Sequence, residues 1–274
     1  MYLCGEINLD ICSLDTDWFL KLLLRHTGVV SMKKIISFIF LFFAVAANAD
    51  IAIKSFVSAA KASADFDYSF SLSEENPFQL ITDKDLVETH TKILHLVVYD
   101  AALNQFNHVH PEYKNNMWNA KLNLSVNGNY KIWAQGKTQG GTEFSVSTAL
   151  LVEGGTLENP VVALGDVRVG ADGVTQIELA STKIKAGKMV MIDFMVSRTD
   201  GSKPKLSPYL GAFAHVIATQ LSGSELIHVH PMEGGMENMG MLHATFPVAG
   251  EYRLWVQLMD DNVLRTIPLS VVVK

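Results

Sequence analysis

Cysteine is almost missing from this 274-residue chain, and the two that exist, Cys4 and Cys12, sit at its very start. From Asp50 onward there is none, so no disulfide staples the fold and any metal chemistry there must use His, Met or carboxylates. Basic clusters are also lacking. The formal net charge is −6, and the first 49 residues leave it unchanged because four acids (Glu6, Asp10, Asp15, Asp17) cancel four bases (Lys21, Arg25, Lys33, Lys34). Such a chain has no electrostatic footprint for nucleic acid and no preference for anionic membrane surfaces. The common catalytic signatures are absent too: no G-x-S-x-G, no phosphate loop, no EF-hand spacing, no H-E-x-x-H and no cysteine nucleophile.

One long apolar run is present, near the start. Met32-Lys33-Lys34 leads into Ile35–Val45 and then Ala47-Asn48-Ala49, the charged region, apolar region and A-x-A site of a secretory signal peptide. The run is shorter than the roughly 20 residues a membrane span needs. Residues 1–31 show neither period nor cap and read as upstream sequence, with the signal over 32–49 and an exported chain from Asp50. The expected location is periplasmic or secreted, with no membrane span in the mature chain.

After a small, Ala/Ser-rich leader over 50–65, the hydrophobic period becomes two. Phe66, Tyr68, Phe70 and Leu72 alternate with polar residues, and short strand-like runs, Val161–Ala163 among them, recur to the end, separated by turn-forming Asn127-Gly128-Asn129, Gly140-Gly141 and Gly154-Gly155. With no sustained helical period after residue 66, the pattern predicts an all-β protein of β-sandwiches.

An internal repeat organises the chain. His95 is followed thirteen residues later by His108-Val109-His110-Pro111, and His215 at the same interval by His228-Val229-His230-Pro231. Further on, Gly128-Asn129-Tyr130-Lys131-Ile132-Trp133-Ala134-Gln135 parallels Gly250-Glu251-Tyr252-Arg253-Leu254-Trp255-Val256-Gln257; the interval from first His to Gly is 33 residues in one copy and 35 in the other. Two tandem β-sandwich modules, 66–153 and 160–274, explain this. The Tyr-x-x-Trp aromatics read as core packing.

Six of the nine histidines lie in the two copies. In a hairpin centred midway between first and last His, His95 opposes His110 and His215 opposes His230, while His108 and His110, two apart on a strand, share a face. Each module then displays a three-imidazole patch, a ligand set suited to copper or zinc with one position open. Metal candidates are therefore His215, His228 and His230, with His95, His108 and His110 as a second set. Met232, Met236, Met239 and His243, in and beside a Gly-rich loop after the second set, are further candidates, because thioethers favour Cu(I). Lys121 stands where the second copy has His243, and His90 has no repeat partner.

Tyr209-Leu210-Gly211…His215, His228-Val229-His230-Pro231 and Pro247-Val248-Ala249-Gly250-Glu251-Tyr252-Arg253 resemble a family of uncharacterised bacterial exported proteins with immunoglobulin-like modules, whose pattern runs Y-L-G-x-x-x-H, H-x-H-P, P-x-x-G-x-Y-R. The resemblance covers Val174 to the end, and it implies the immunoglobulin-like fold and a link to metal handling. The first module departs from it, lacking the Y-L-G approach and having Glu88-Thr89-His90-Thr91-Lys92 ahead of its first motif His.

These readings converge on an exported protein that binds copper or zinc for sequestration or delivery, more a binder than an enzyme, with an envelope protein as a conceivable partner. The alternatives are a structural or interaction module whose histidines only pack, and a metal-dependent enzyme using the open position, with Glu112 or Glu233 as base.

Overall fold

The computed structural model describes residues 50–274 apart from 158, 159, 224, 230 and 234–236. The expected upstream segment 1–31, the expected signal peptide 32–49 and the candidate ligands His230 and Met236 lie outside the described residues.

The first module contains β1 (Ile51–Ser55), β2 (Ala59–Lys61), β3 (Ser63–Glu75), β4 (Phe78–Ile81), β5 (Leu86–Val87), β6 (Leu94–Asp100), β7 (Phe106–Val109), β8 (Glu112–Lys114), β9 (Met117–Leu124), β10 (Gly128–Thr138) and β11 (Glu143–Glu153). The second contains β12 (Val169–Ala171), β13 (Thr175–Leu179), β14 (Met189–Arg198), β15 (Leu206–Ser207), β16 (His215–Gln220), β17 (Leu226–Val229), β18 (Met232–Glu233), β19 (Met239–Thr245), β20 (Gly250–Asp260) and β21 (Val263–Val273). Among the described residues no helix is long and apolar enough to cross a membrane.

Each module is a two-sheet sandwich. In the first, β1-β3-β9-β8 packs against β2-β11-β10-β6-β7; in the second, β12-β13-β14-β19-β18 packs against a sheet in which β20 joins β16-β17 to β21. Alternate residues fill the space between the sheets. Tyr68, Leu96, Trp118 and Tyr130 are buried in the first core, and Phe194, Val216, Phe246 and Tyr252 in the second. Both modules carry a tyrosine corner, a mark of immunoglobulin-like sandwiches: the Tyr130 hydroxyl donates to the Val126 carbonyl at 3.0 Å, and Tyr252 to Val248 at 3.0 Å. The protein is thus all-β, with two tandem immunoglobulin-like modules.

Two expectations need correction. Residues 50–65 are not a leader: β1 pairs antiparallel with β3, and β2 runs parallel to β11. Ile51, Ile53 and Val57, spaced among Ala and Ser, pack on the first core and draw the segment into the sandwich. The run Val161–Ala163 forms no strand; Val161 and Val162 are exposed in the connection between β11 and β12.

The Tyr-x-x-Trp aromatics are core residues as expected, but they enter different cores. Positions three apart on a strand face opposite ways, so Tyr130 and Tyr252 enter their own cores while Trp133 and Trp255 point out. The tryptophans meet in a third core, where Val97, Tyr99, Leu103, Trp133 and Leu164 pack with Ile217 and Trp255. This core joins the modules through equivalent strands, β6 and β10 of one against β16 and β20 of the other. All seven residues of β6 are accordingly buried, on both faces.

Candidate metal centre

The hairpin register places the histidines. Leu96 pairs with Val109 and Val97 with His108 on β6–β7, and Val216 with Val229 and Ile217 with His228 on β16–β17. Continued by one residue, the first ladder brings His95 level with His110. Because His95, Val97 and Tyr99 share a face, as do His215, Ile217 and Thr219, the described imidazoles of both sets line the joint between the modules.

Among the described residues, histidines of both expected sets meet in a shared cluster. His95, His108 and His228 each offer a ring nitrogen within 4.8 Å of the others, and two belong to one module while the third belongs to the other. Ring centroids of His95 and His110 are 4.9 Å apart, His95 and His228 5.2 Å, His108 and His228 5.4 Å, and His215 and His228 5.6 Å. His90, set aside in the sequence for want of a repeat partner, stands 6.0 Å from His228 and 6.1 Å from His215.

His90 owes that place to a turn. Thr89–Lys92 and Tyr209–Ala212 are each closed by reciprocal backbone hydrogen bonds, with positive φ at both central residues: His90 (55°) and Thr91 (65°), Leu210 (49°) and Gly211 (77°). Both are the tight primed type of turn. Thr89-His90-Thr91 is therefore the first module's version of Y-L-G, and His90 occupies the position of Leu210. Sequence spacing held the clue, since Thr89 lies six residues before His95 as Tyr209 does before His215.

The turns also orient the rings. His95 Nε2 donates to the Thr89 carbonyl at 3.1 Å, and His215 Nε2 donates to the Tyr209 carbonyl at 3.0 Å. His108 Nδ1 donates to Gln257 Oε1 at 2.7 Å, across the module boundary, and Gln257 is itself fixed by its amide nitrogen bonding Thr266 Oγ1 at 3.1 Å. A neutral imidazole has one N–H. With those hydrogens committed outward, His95 Nδ1 and His108 Nε2 face each other as lone pairs at 3.1 Å, and His215 Nδ1 stands 3.3 Å from His228 Nε2. His110 Nε2 is buried without a hydrogen-bond partner.

Burial keeps these rings neutral. It pushes His108 down to about 4, against the opposing pull of Gln257, with help from the charges of His95 and His215. Burial again leads for His110, lowered to about 3 with His108 and His95 adding to it, and for His215, lowered to about 4 despite its bond to Tyr209. His95 and His90 are lowered by the same cause. A cavity of about 350 Å³, bordered by His90, His95, His228, Gln135, Lys137 and Glu143, opens beside the cluster.

The remaining candidates lie elsewhere. Met232 on β18, and Met239 and His243 on β19, belong to the other sheet of the second module, on the opposite outer face of the sandwich. They cannot complete the histidine cluster, because crossing from one sheet to the other after β17 carries the chain to the far side.

No curated protein matches the chain. Among solved structures, similarity extends to a tetra-tandem repeat in the extending region of a large adhesion protein, at 10% identity, 82% coverage of this chain, 49% of that chain and a TM-score of 0.27. It extends also to a Salmonella alpha-2-macroglobulin (12%, 82%, 14% and 0.26) and to invasin, a bacterial integrin-binding protein (12%, 82%, 39% and 0.24). The chain spans less than half the length of each, and likeness at this level carries no argument about its activity. A family model does match, twice, over residues 47–153 and 168–274, so the chain belongs to the family described as Domain of unknown function (DUF8832).

Proposed function

We propose that the protein binds one transition-metal ion, copper or zinc, in the histidine cluster between its modules, and that it does so as an exported protein for sequestration or delivery. The observation carrying this reading is the facing pair His95 Nδ1 and His108 Nε2, 3.1 Å apart with both outer nitrogens committed as donors. Two lone pairs at that distance repel unless a cation lies between or beside them. A nitrogen–nitrogen edge of about 3.3 Å is what a tetrahedral site with Zn–N bonds of ~2.0–2.1 Å requires. Outward N–H bonds to carbonyl oxygens are the usual support of metal-binding histidines, fixing tautomer and ring direction. His95, His108 and His228 are the leading ligands; His110, His215 and His90 surround them.

Titration of Zn²⁺ and Cu²⁺ into the full chain, alongside His108→Ala and His228→Ala, tests the assignment. A shared site predicts one tightly held equivalent, lost completely in either variant. Two equivalents, each variant removing one, would restore the separate-patch reading; unaltered binding in both folded variants would end the proposal.

A further inference from the structure

The outer face of the second module carries side chains that a solvated sheet does not ordinarily display. On β14 the exposed positions alternate as Met189, Met191, Asp193 and Met195. The ladder sets Met191 opposite His243, Asp193 opposite Met241, and Met195 opposite Met239; on the far side of β19, Met232 lies opposite Met241. Directly opposed side chains on one face start about 4.5–5.5 Å apart at Cβ. His243 Nε2 already touches Met241 Sδ at 3.1 Å. Gly240, Leu242 and Ala244 take the inner positions of β19, which turns Met239, Met241 and His243 outward together.

The first module supplies an internal control. Its ladder pairs Asp67 with Lys121 and Ser69 with Asn119 on β3–β9, and Glu112 with Asn119 on β8–β9. Read through the repeat, Asp67 corresponds to Met191, Lys121 to His243, Asn119 to Met241 and Glu112 to Met232. There the face closes on itself as solvated sheets do: Lys121 pairs with Asp67 at 3.2 Å, and Ser69 donates to Asn119 at 2.8 Å. The same fold in the same chain thus needs no methionine on this face. Flexible apolar thioethers usually fill irregular cores; here Met191 and Met232 are more than half exposed.

We infer that this face is a second metal site, distinct from the histidine cluster and selective for Cu(I), built on the touching pair Met241 and His243, with a further thioether supplied from either flank of β19 by Met191 or Met232. Thioether sulfur is a soft donor that favours Cu(I), and Zn²⁺ takes nitrogen, thiolate or carboxylate instead. The site therefore accepts the reduced ion already formed, with no electron transferred in binding.

The test is anaerobic Cu(I) titration of the full chain against a competing chelator, with sulfur scattering at the copper absorption edge as second readout. In Met191→Leu/Met232→Leu/Met241→Leu, which keeps side-chain volume, one Cu(I) equivalent and the sulfur signal are expected to disappear while Zn²⁺ binding stays. In His108→Ala/His228→Ala that equivalent and signal are expected to persist, so the two sites fail independently. His243→Lys, which installs the first module's residue, is expected to weaken the site at least tenfold. Retention of every Cu(I) equivalent in the leucine variant, or copper surrounded by nitrogen and oxygen alone in the unaltered chain, overturns the assignment.

Discussion

The hydroxyls of Tyr99 and Thr219 are 3.2 Å apart, and the two residues hold the same place in their respective repeats. So do His108 and His228, whose rings are 5.4 Å apart. When equivalent positions of a repeat meet each other, the packing is isologous, as in a two-fold dimer. The two modules are related in this way within one chain, and the histidine cluster lies beside that axis.

Trp255 tests the joint. It is buried, stacks on Phe106 at 4.4 Å between centroids and on Tyr99 at 5.7 Å, and belongs to neither module's own core. Trp255→Ala is expected to cost about 3–5 kcal/mol and to split a single thermal transition into two, one per module. Calorimetry reads both effects; an unchanged single transition would mean that the modules are coupled elsewhere.

Gln257 tests the support of His108. Replacing it with Leu leaves the ring in place but removes the acceptor that fixes its tautomer. Loss of such a partner typically lowers metal affinity about 10–100-fold. Competition titration of Gln257→Leu should show this with stoichiometry unaltered; wild-type affinity would indicate that His108 is no ligand.

Acid should weaken the metal-free protein. His108 and His215 titrate at about 4 and His110 at about 3 in the folded chain, below the ordinary value near 6.5. Between pH 6.5 and those values the unfolded chain binds protons that the folded chain refuses, so stability rises with pH across this window. The slope is up to about 1.4 kcal/mol per pH unit per histidine. Denaturant midpoints measured from pH 7.5 to 4 should fall accordingly, and more shallowly once His110→Gln removes one such group. A flat profile would contradict the burial of these rings.

Gly240 tests the packing beneath the methionine face. A Cβ there would lie 2.3 Å from Phe194 Cζ, and Phe194 is itself held against Phe213. Gly240→Ala should therefore destabilise by about 1–3 kcal/mol through overpacking, read as a lower denaturation midpoint. Neutral behaviour would show that Phe194 has room to move.

The strands and the His hairpins were legible in the sequence because a period of two fixes which residues share a face. What covers a face was not. His95, Val97 and Tyr99 read equally well as one module's metal patch or one module's core, and only the approach of Ile217 and Trp255 decides between those. The signals were nonetheless present: β6 is apolar on both faces, and Tyr130 and Trp133, three apart, cannot enter the same core. His90 escaped notice because its role depends on backbone geometry at a turn, where Thr-His-Thr and Tyr-Leu-Gly share a shape without sharing chemistry. The strand over 51–55 was hidden by small residues around two isoleucines.

The position of His228 among the first module's histidines has a mechanical consequence. In the proposed centre, ligand-type nitrogens from both halves of the chain must come together, so prying the halves apart would dismantle it and filling it would clamp them shut. Linkage makes those two effects equal in free energy. A partner that wedges open the joint would thereby unload the ion without touching a single ligand.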